Sequence, residues 1–429
     1  MTHITQTPPL RDPASRARRI AIQSRLNNPL ITGLIALIAA TAIVIARWLT
    51  WAHRQLTAFI LIGQHWITDP SALPHDLVIQ PNLGYDGQFF YRLALDPADL
   101  HNTAFGITVD TPYRFIRDGY PFLAWLLSAG QHGLVPVTLV VVNVLAIAAI
   151  GVIGGIFASD SGRHAAWGLL LAGYYGLVTT LSRDTSEAVA SAFLLAGVLM
   201  LRPALKRARS DGTQRRRPVL GGLLLGYASL SRETAIIAPL AYAIIRLGGM
   251  ALRRWRPGRD DLGWVLPGVI FSAWQVIVYA ATGQWALLAD SGANANKPFT
   301  APMHAIFWNF THLDSLGVNN VDEWAMEFVL FALVVIFAVF SLWSTRVPVH
   351  ERLAFIIYIF EICLVAPTTW NSLTADMRSF IEVWLFGVLI LFGTRRRPMT
   401  HPLAYRLPII AIGLVPVLAV VIHARLIGT

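Results

Sequence analysis

The sequence predicts an all-α, polytopic membrane protein with about eleven transmembrane helices, and three observations carry that reading. Of 429 residues, 55% are hydrophobic and only 14% charged, where a soluble globular chain carries about 25% charged residues. The apolar residues fall in long runs, giving a mean hydropathy of +0.55, and runs of about 17–25 residues can cross a bilayer as helices. The basic residues, finally, crowd into the segments between alternate runs.

The runs lie at 30–47, 134–157, 165–181, 185–201, 264–282, 325–345, 353–367, 379–394 and 406–427. The stretch 219–248 is interrupted at Ser231-Arg232-Glu233-Thr234 and reads as one long helix or as a hairpin of two short ones. Lys and Arg resist translocation and accumulate in cytoplasmic loops, which decides between the two. With the basic tail (Arg11, Arg16, Arg18, Arg19, Arg25) inside and 219–248 folded as a hairpin, the loops 202–218 and 253–259 both fall inside. So do Arg163, Arg346, Arg352 and Arg395–Arg397, which brings 22 of the 34 Lys and Arg to one side. A single helix would strand one very basic loop on the wrong face. The N-terminus is thus expected inside and the C-terminus outside. Residues 1–29 form a basic cytoplasmic tail, and residues 30–429 one transmembrane domain with large outer loops at 48–119 and 283–324. The first apolar run is too long, behind a basic leader, to be a cleavable signal peptide.

Several function classes fall away. One cysteine, Cys363, excludes disulfide frameworks and cysteine-based metal sites. Neither lysine, Lys206 or Lys297, follows a glycine-rich loop, so no P-loop is present. The net charge of +10 is a topology signal and a contact with anionic membrane lipid, not a nucleic-acid footprint.

The polar motifs all land on the outer side of this topology. The first outer loop carries Gly84-Tyr85-Asp86-Gly87-Gln88-Phe89-Phe90-Tyr91-Arg92 and ends with Tyr113-Arg114-Phe115-Ile116-Arg117-Asp118-Gly119-Tyr120-Pro121. Ser182-Arg183-Asp184-Thr185-Ser186-Glu187 forms the next outer turn, Arg232-Glu233-Thr234 the hairpin tip, and Asp376-Met377-Arg378 the last outer turn. Charges at helix ends are costly unless they face one another or a watery cavity, so the ring reads as a site at the outer membrane boundary. A transporter more often binds near the midplane, where Glu361 and Glu382 are the candidates. Glu382 follows Arg378 by four residues and is expected to pair with it on one helix face.

An outward pocket has no access to ATP or cytosolic nucleotide sugars, which points to an activated donor delivered through the membrane: a lipid-phosphate-linked sugar. Transfer needs a carboxylate to deprotonate the acceptor hydroxyl and cations, preferably arginines, to hold the phosphate. Asp86, between Gly84 and Gly87, is the candidate base; Asp69 and Asp76 are weaker ones. Gln88, Tyr91, Arg92, Arg114, Arg117, Asp118, Arg183, Asp184, Glu187, Arg232, Glu233 and Arg378 are the candidate substrate-binding residues. Competing readings are that Asp86 only caps the helix after it, that Asp96 is a turn residue before Pro97, and that Arg183, Asp184 and Glu187 merely satisfy one another. Trp48, Trp51, Trp66, Trp125 and Trp324 are expected as interfacial belt residues. His304 and His312 lack a third clustered ligand, so no metal is expected. Gly151, Gly154, Gly155, Gly221, Gly222 and Gly226 are expected where helices pack closely.

The Tyr85-Asp86…Phe90-Tyr91-Arg92-Leu93-Ala94 and Asp118-Gly119-Tyr120-Pro121-Phe122-Leu123 segments, with Arg183-Asp184…Glu187 and Arg232-Glu233-Thr234, resemble the GT-C superfamily of membrane glycosyltransferases. The likeness is to its GPI-mannosyltransferase-like branch, and closer still to bacterial proteins carrying Gly-Tyr-Asp-Gly-Gln-Phe-Tyr-Tyr. It covers roughly residues 30–250. It implies a multi-pass protein of the bacterial cytoplasmic membrane, its active site facing outward and its first-loop acid the catalytic base, a role that falls on Asp86. The family's acid usually lies sooner after the first span than Asp86 does. The expected donor is a polyprenyl-phosphate sugar, the acceptor a cell-envelope glycan or glycolipid, and no tightly bound cofactor is implied. The alternatives are a flippase or transporter of lipid-linked sugars, or an envelope-assembly scaffold, which leaves the one-sided arginines unexplained.

Overall fold

The computed structural model describes residues 27–74, 77–202, 217–289, 301–312, 314, 318–365, 367–370 and 378–394. The tail before residue 27, Asp76, the arginines between 203 and 216, Asp290, Lys297, Thr374–Met377, Arg395–Arg397 and the apolar run 406–427 lie outside the described residues.

The described chain is mostly helical, and its only sheets are two two-stranded ribbons in the segment 51–118. Its main helices are α1 (Pro29–Thr50), α2 (Gly87–Leu95), α3 (Gly119–Leu127), α4 (Val135–Asp160), α5 (Leu169–Ala172), α6 (Tyr175–Arg183), α7 (Glu187–Leu201), α8 (Pro218–Ser231), α9 (Ile237–Ala251) and α10 (Leu262–Thr282). After them come α11 (Ala301–Thr311), α12 (Val318–Ser341), α13 (Val349–Ile362) and α14 (Ile381–Phe392). Five are apolar and long enough to cross a membrane: Pro29–Thr50, His132–Asp160, Glu233–Ala251, Arg259–Thr282 and Trp324–Ser341. Counting the pair Ala165–Ala172 and Tyr175–Arg183, bent by 56°, as one span gives six. The expected run at 185–201 and the first half of the stretch 219–248 appear as α7 and α8, of 15 and 14 residues. At 1.5 Å per residue these fall short of a 30 Å hydrocarbon core, because the polar motifs at their ends are drawn into the protein.

Close packing sits where glycines allow it. A Cβ on Gly33 would lie 2.2 Å from Val152 Cγ2, and one on Gly151 2.8 Å from the Ala36 Cβ, so α1 and α4 meet nearly backbone to backbone. Gly222 and Gly226 seat α8 against Leu266 and Ile270 of α10. Trp324, expected at an interface, is instead fully buried, and its indole N–H donates to the Trp370 carbonyl at 2.7 Å.

The bundle has two chemically different ends. The chain reverses at Arg232, since Gly221 on α8 and Tyr242 on α9 both lie near Leu201 at the far end. That end also holds the Arg202–Glu351 and Arg246–Asp261 pairs, together with the loops containing Arg253, Arg254, Arg256 and Arg259. At the opposite end, Asp86 meets Arg114 and Arg378, and Glu187 meets Arg232.

Candidate functional site

The turn before α2 fixes Asp86. Gly84 sits at φ +68°, in the left-handed region that favours glycine, and its N–H donates to Asn82 Oδ1 at 2.8 Å. A Cβ on Gly87 would lie 2.4 Å from the Arg183 carbonyl oxygen and 2.6 Å from that of Ile60. Only glycine lets α2 begin against those two backbones. The Gln88 side chain locks the same turn, accepting from the Gly63 N–H at 2.9 Å and donating to the Leu83 carbonyl at 3.1 Å.

Asp86 occupies the N-cap position of α2, yet its carboxylate makes no capping bond. It accepts instead from Arg114 Nη1 at 2.9 Å and from Arg378 Nη2. Burial pushes the carboxyl up, but the guanidinium groups of Arg114, Arg378 and Arg117 outweigh it and hold Asp86 well below the usual carboxylate range. It is therefore ionised at neutral pH, and a weak base while both arginines are engaged.

These contacts belong to one connected cluster drawn from distant parts of the chain. Arg114 is gripped from its other side by Asp110, at 2.8 Å from Nε and 2.6 Å from Nη2. Arg117 forks onto Glu233 with two bonds of 2.7 Å, and the Tyr113 hydroxyl donates to the same carboxylate. Arg378 Nη1 and Arg232 Nη1 both stand 3.5 Å from Glu187 Oε1. Arg232 continues to Glu382 at 3.1 Å, whose carboxylate also accepts from Thr234 at 2.7 Å. Arg183 and Arg378 lie over the Tyr85 ring at 4.5 and 4.8 Å, within cation–π range. Four arginines thus pair with Asp86, Asp110, Glu187, Glu233 and Glu382, and Arg183 adds a fifth positive charge beside them over the Tyr85 ring. Arg232 Nη1, Arg378 Nε and Arg378 Nη1 are buried without a hydrogen-bond acceptor among the described residues. Such donors are costly unless an oxygen ligand meets them.

The expected pairing of Glu382 with Arg378 is not made. Arg378–Phe380 is a 3₁₀ turn ahead of α14, so the four-residue spacing is not a helical one, and Glu382 turns to Arg232. Asp110 completes the cluster beyond the residues singled out from sequence, and Glu382, read from sequence as a midplane candidate, joins it instead. Asp110 stands four residues before Arg114, a spacing that marks a pair only on a helical turn.

Other candidates stand apart. Arg92 is fully buried and fastens the following loop, donating to the Asp99 carbonyl at 2.5 Å and to the His101 carbonyl, with its guanidinium over Phe115. Tyr91 packs with Phe90, Ala94 and Tyr120 in an apolar cluster. Asp118 precedes α3 without capping it, and its Oδ1 is buried without a partner. Burial pushes the Asp118 carboxyl up to about 8, against the pull of Arg92. Asp184 ends α6 in a left-handed conformation at φ +47°, with both carboxylate oxygens buried and making no hydrogen bond among the described residues. Asp69 caps its own turn through Ser71 at 2.9 Å. His304 and His312 are exposed on and after α11, with His312 stacked on Trp308 at 4.6 Å.

No known protein family, curated protein or solved structure matches the chain. The functional argument rests on the cluster itself. It can bind an anion through arginines that now hold carboxylates, and it can accept a proton if such an anion draws them away.

Proposed function

We propose that the chain is a membrane glycosyltransferase that moves a sugar from a polyprenyl-phosphate donor to a cell-envelope glycan or glycolipid acceptor at the extracytoplasmic face. The observation that carries this reading is the meeting of Asp86 with Arg114 and Arg378, 292 residues apart in the case of Arg378. A carboxylate and phosphate-binding guanidinium groups in direct contact are the two functions that such a transfer requires.

The donor phosphate competes with Asp86 for Arg114 and Arg378, and the unmet donors of Arg378 and Arg232 bind its other oxygens. Asp86, relieved of its cations, becomes a stronger base. It takes the acceptor hydroxyl proton as that oxygen bonds to the anomeric carbon. The bond from carbon to phosphate oxygen breaks on the opposite face, and polyprenyl phosphate leaves with the electron pair, its charge held by the arginines. The anomeric centre inverts.

The proposed topology has about eleven spans, the N-terminus inside and the C-terminus outside. It is supported by the concentration of Arg163, Arg202, Arg217, Arg246 and Arg253–Arg259 at the end of the bundle away from Asp86, as the positive-inside rule asks of a cytoplasmic face. On this reading the chain lies in a bacterial cytoplasmic membrane with Asp86 facing outward.

The test is transfer of radiolabel from a panel of polyprenyl-phosphate sugars by the purified full chain. If phosphate binding unmasks Asp86, the acid limb of kcat lies at higher pH than that of kcat/KM, because the first reports the donor-bound state and the second the free protein. Coincident limbs would remove the unmasking step. A second reading, a flippase or transporter of lipid-linked sugars, is favoured by one observation: Asp86 is held so low in the free protein that it suits binding better than proton transfer. It expects no transferred label from any donor.

A further inference from the structure

A second site lies at the far end of the same helices. Glu187 begins α7 in the arginine–carboxylate cluster, and Leu201 and Arg202 end it beside a cavity of about 410 Å³. At 1.5 Å per residue the 15 residues of α7 set the two about 22 Å apart. The helix α9 repeats the arrangement, with the Glu233 turn at one end and Tyr242 and Arg246 toward the other.

The cavity wall carries Arg202, Arg246, Arg346 and His350 and no acidic residue. Two of its arginines are already neutralised. Arg202 forks onto Glu351, with Nε at 2.6 Å, and Arg246 Nε holds Asp261 at 2.7 Å. These pairs fix the guanidinium groups as rigid hydrogen-bond donors. Arg346 carries the net positive charge: it is exposed, its backbone N–H is spent on the Gly393 carbonyl at 2.9 Å, and its guanidinium makes no ion pair among the described residues. The aromatic walls are preset, with Arg246 over Trp255 at 5.1 Å and Tyr242 against His350 at 4.6 Å.

The rim is apolar. Ile245, Pro348 and Val349 line it, and Val349 is 53% exposed. A free phosphate has no use for an exposed apolar rim beside a cationic cavity, whereas a phospholipid places acyl chains there. A volume of this size falls in the range of small-molecule sites.

We propose that this cavity binds the phosphate headgroup of an anionic phospholipid, with Arg346 as the charge that selects it and the exposed Val349 beside Pro348 and Ile245 receiving its chains. The site is independent of the chemistry at the Asp86 end. It braces α7, α9 and α13 at the end opposite Glu187 and Glu233.

The test is native mass spectrometry of the full chain released from micelles containing phosphatidylglycerol, phosphatidylcholine or inorganic phosphate. Phosphatidylglycerol is expected to remain bound in preference to phosphatidylcholine. A basic residue near a membrane surface contributes about 1 kcal/mol to attraction of anionic lipid, so Arg346→Gln should weaken retention about fivefold. Arg54→Gln, an exposed arginine in the segment after α1, should leave it unchanged. Equal retention of the two lipids, or no effect of Arg346→Gln, would overturn the site. Displacement of phosphatidylglycerol by millimolar inorganic phosphate would assign the cavity to a soluble anion and overturn the lipid.

Discussion

Replacing Glu187 with glutamine removes one charge and almost no volume, and the geometry sets the cost. Arg232 Nη1 and Arg378 Nη1 each stand 3.5 Å from Glu187 Oε1, and the side chain is 2% exposed. At an effective dielectric of about 20, a unit pair at this distance attracts by about 5 kcal/mol. Much of that is cancelled by the several kcal/mol needed to bury each ion. Removing one partner of a buried pair still costs about 3–5 kcal/mol, because the remaining charge keeps its desolvation penalty. Here Glu382 and Asp86 remain as second partners of the two arginines, so the lower end, about 3 kcal/mol, applies. Each kcal/mol moves the midpoint of a large domain by roughly 2–4 °C, so Glu187→Gln should lower it by roughly 6–12 °C. The assay is loss of the monodisperse peak on heating the detergent-purified chain, with all variants at one heating rate because such unfolding is irreversible. Glu187→Asp, which keeps the charge, should fall between. A Glu187→Gln midpoint within 2 °C of the parent would refute a cluster held together by its own charge.

Two further outcomes follow from the same contacts. Gly87→Ala would set a Cβ against the backbone carbonyls of Arg183 and Ile60, which no rotamer change relieves. It should abolish function and lower the heat midpoint, while Gly133→Ala, with nothing within 4 Å, should do neither; a functional Gly87→Ala would show the close approach to be dispensable. Asp118 has its carboxyl raised from 3.8 to about 8, so the folded chain binds an extra proton between those values. Its contribution to stability is therefore fully present below the lower value and lost as pH rises through about 8. Asp118→Asn should flatten the fall in heat midpoint between pH 5 and 8.5 and raise the midpoint at the alkaline end, and an unchanged slope would place the proton elsewhere.

Five or six of the apolar runs were legible as helices long enough to cross a membrane, because such a helix leaves a continuous signature, and the break at Arg232 was legible because two basic loops demanded a reversal. The close helix contacts at Gly151, Gly222 and Gly226 could also be read from residue size. Pairing could not. Arg117 finds Glu233 across 116 residues and Arg378 finds Asp86 across 292, and a single sequence carries no signal linking them. The arginines read as free phosphate ligands because their carboxylates were counted as separate motifs. Arg92, within two turns of Asp86, read as part of the same site. The backbone carbonyls of Asp99 and His101, which no side-chain pattern reveals, hold it elsewhere. The four-residue spacing of Arg378 and Glu382 misled because it presumes an α-helix where the chain makes a 3₁₀ turn.

The central claim is that Asp86 accepts a proton during sugar transfer. Its most direct test is complementation of a strain lacking this protein, with wild type or Asp86→Asn at matched membrane levels, read as the sugar composition and linkages of the envelope. Asparagine keeps the size and one acceptor oxygen for Arg114 or Arg378 but cannot take the proton, and loss of a general base typically costs about 10²–10⁴-fold in rate. Wild type should restore a missing linkage that the asparagine form does not. Restoration by both would contradict the transferase account and leave a protein that binds lipid-linked sugars without reacting them.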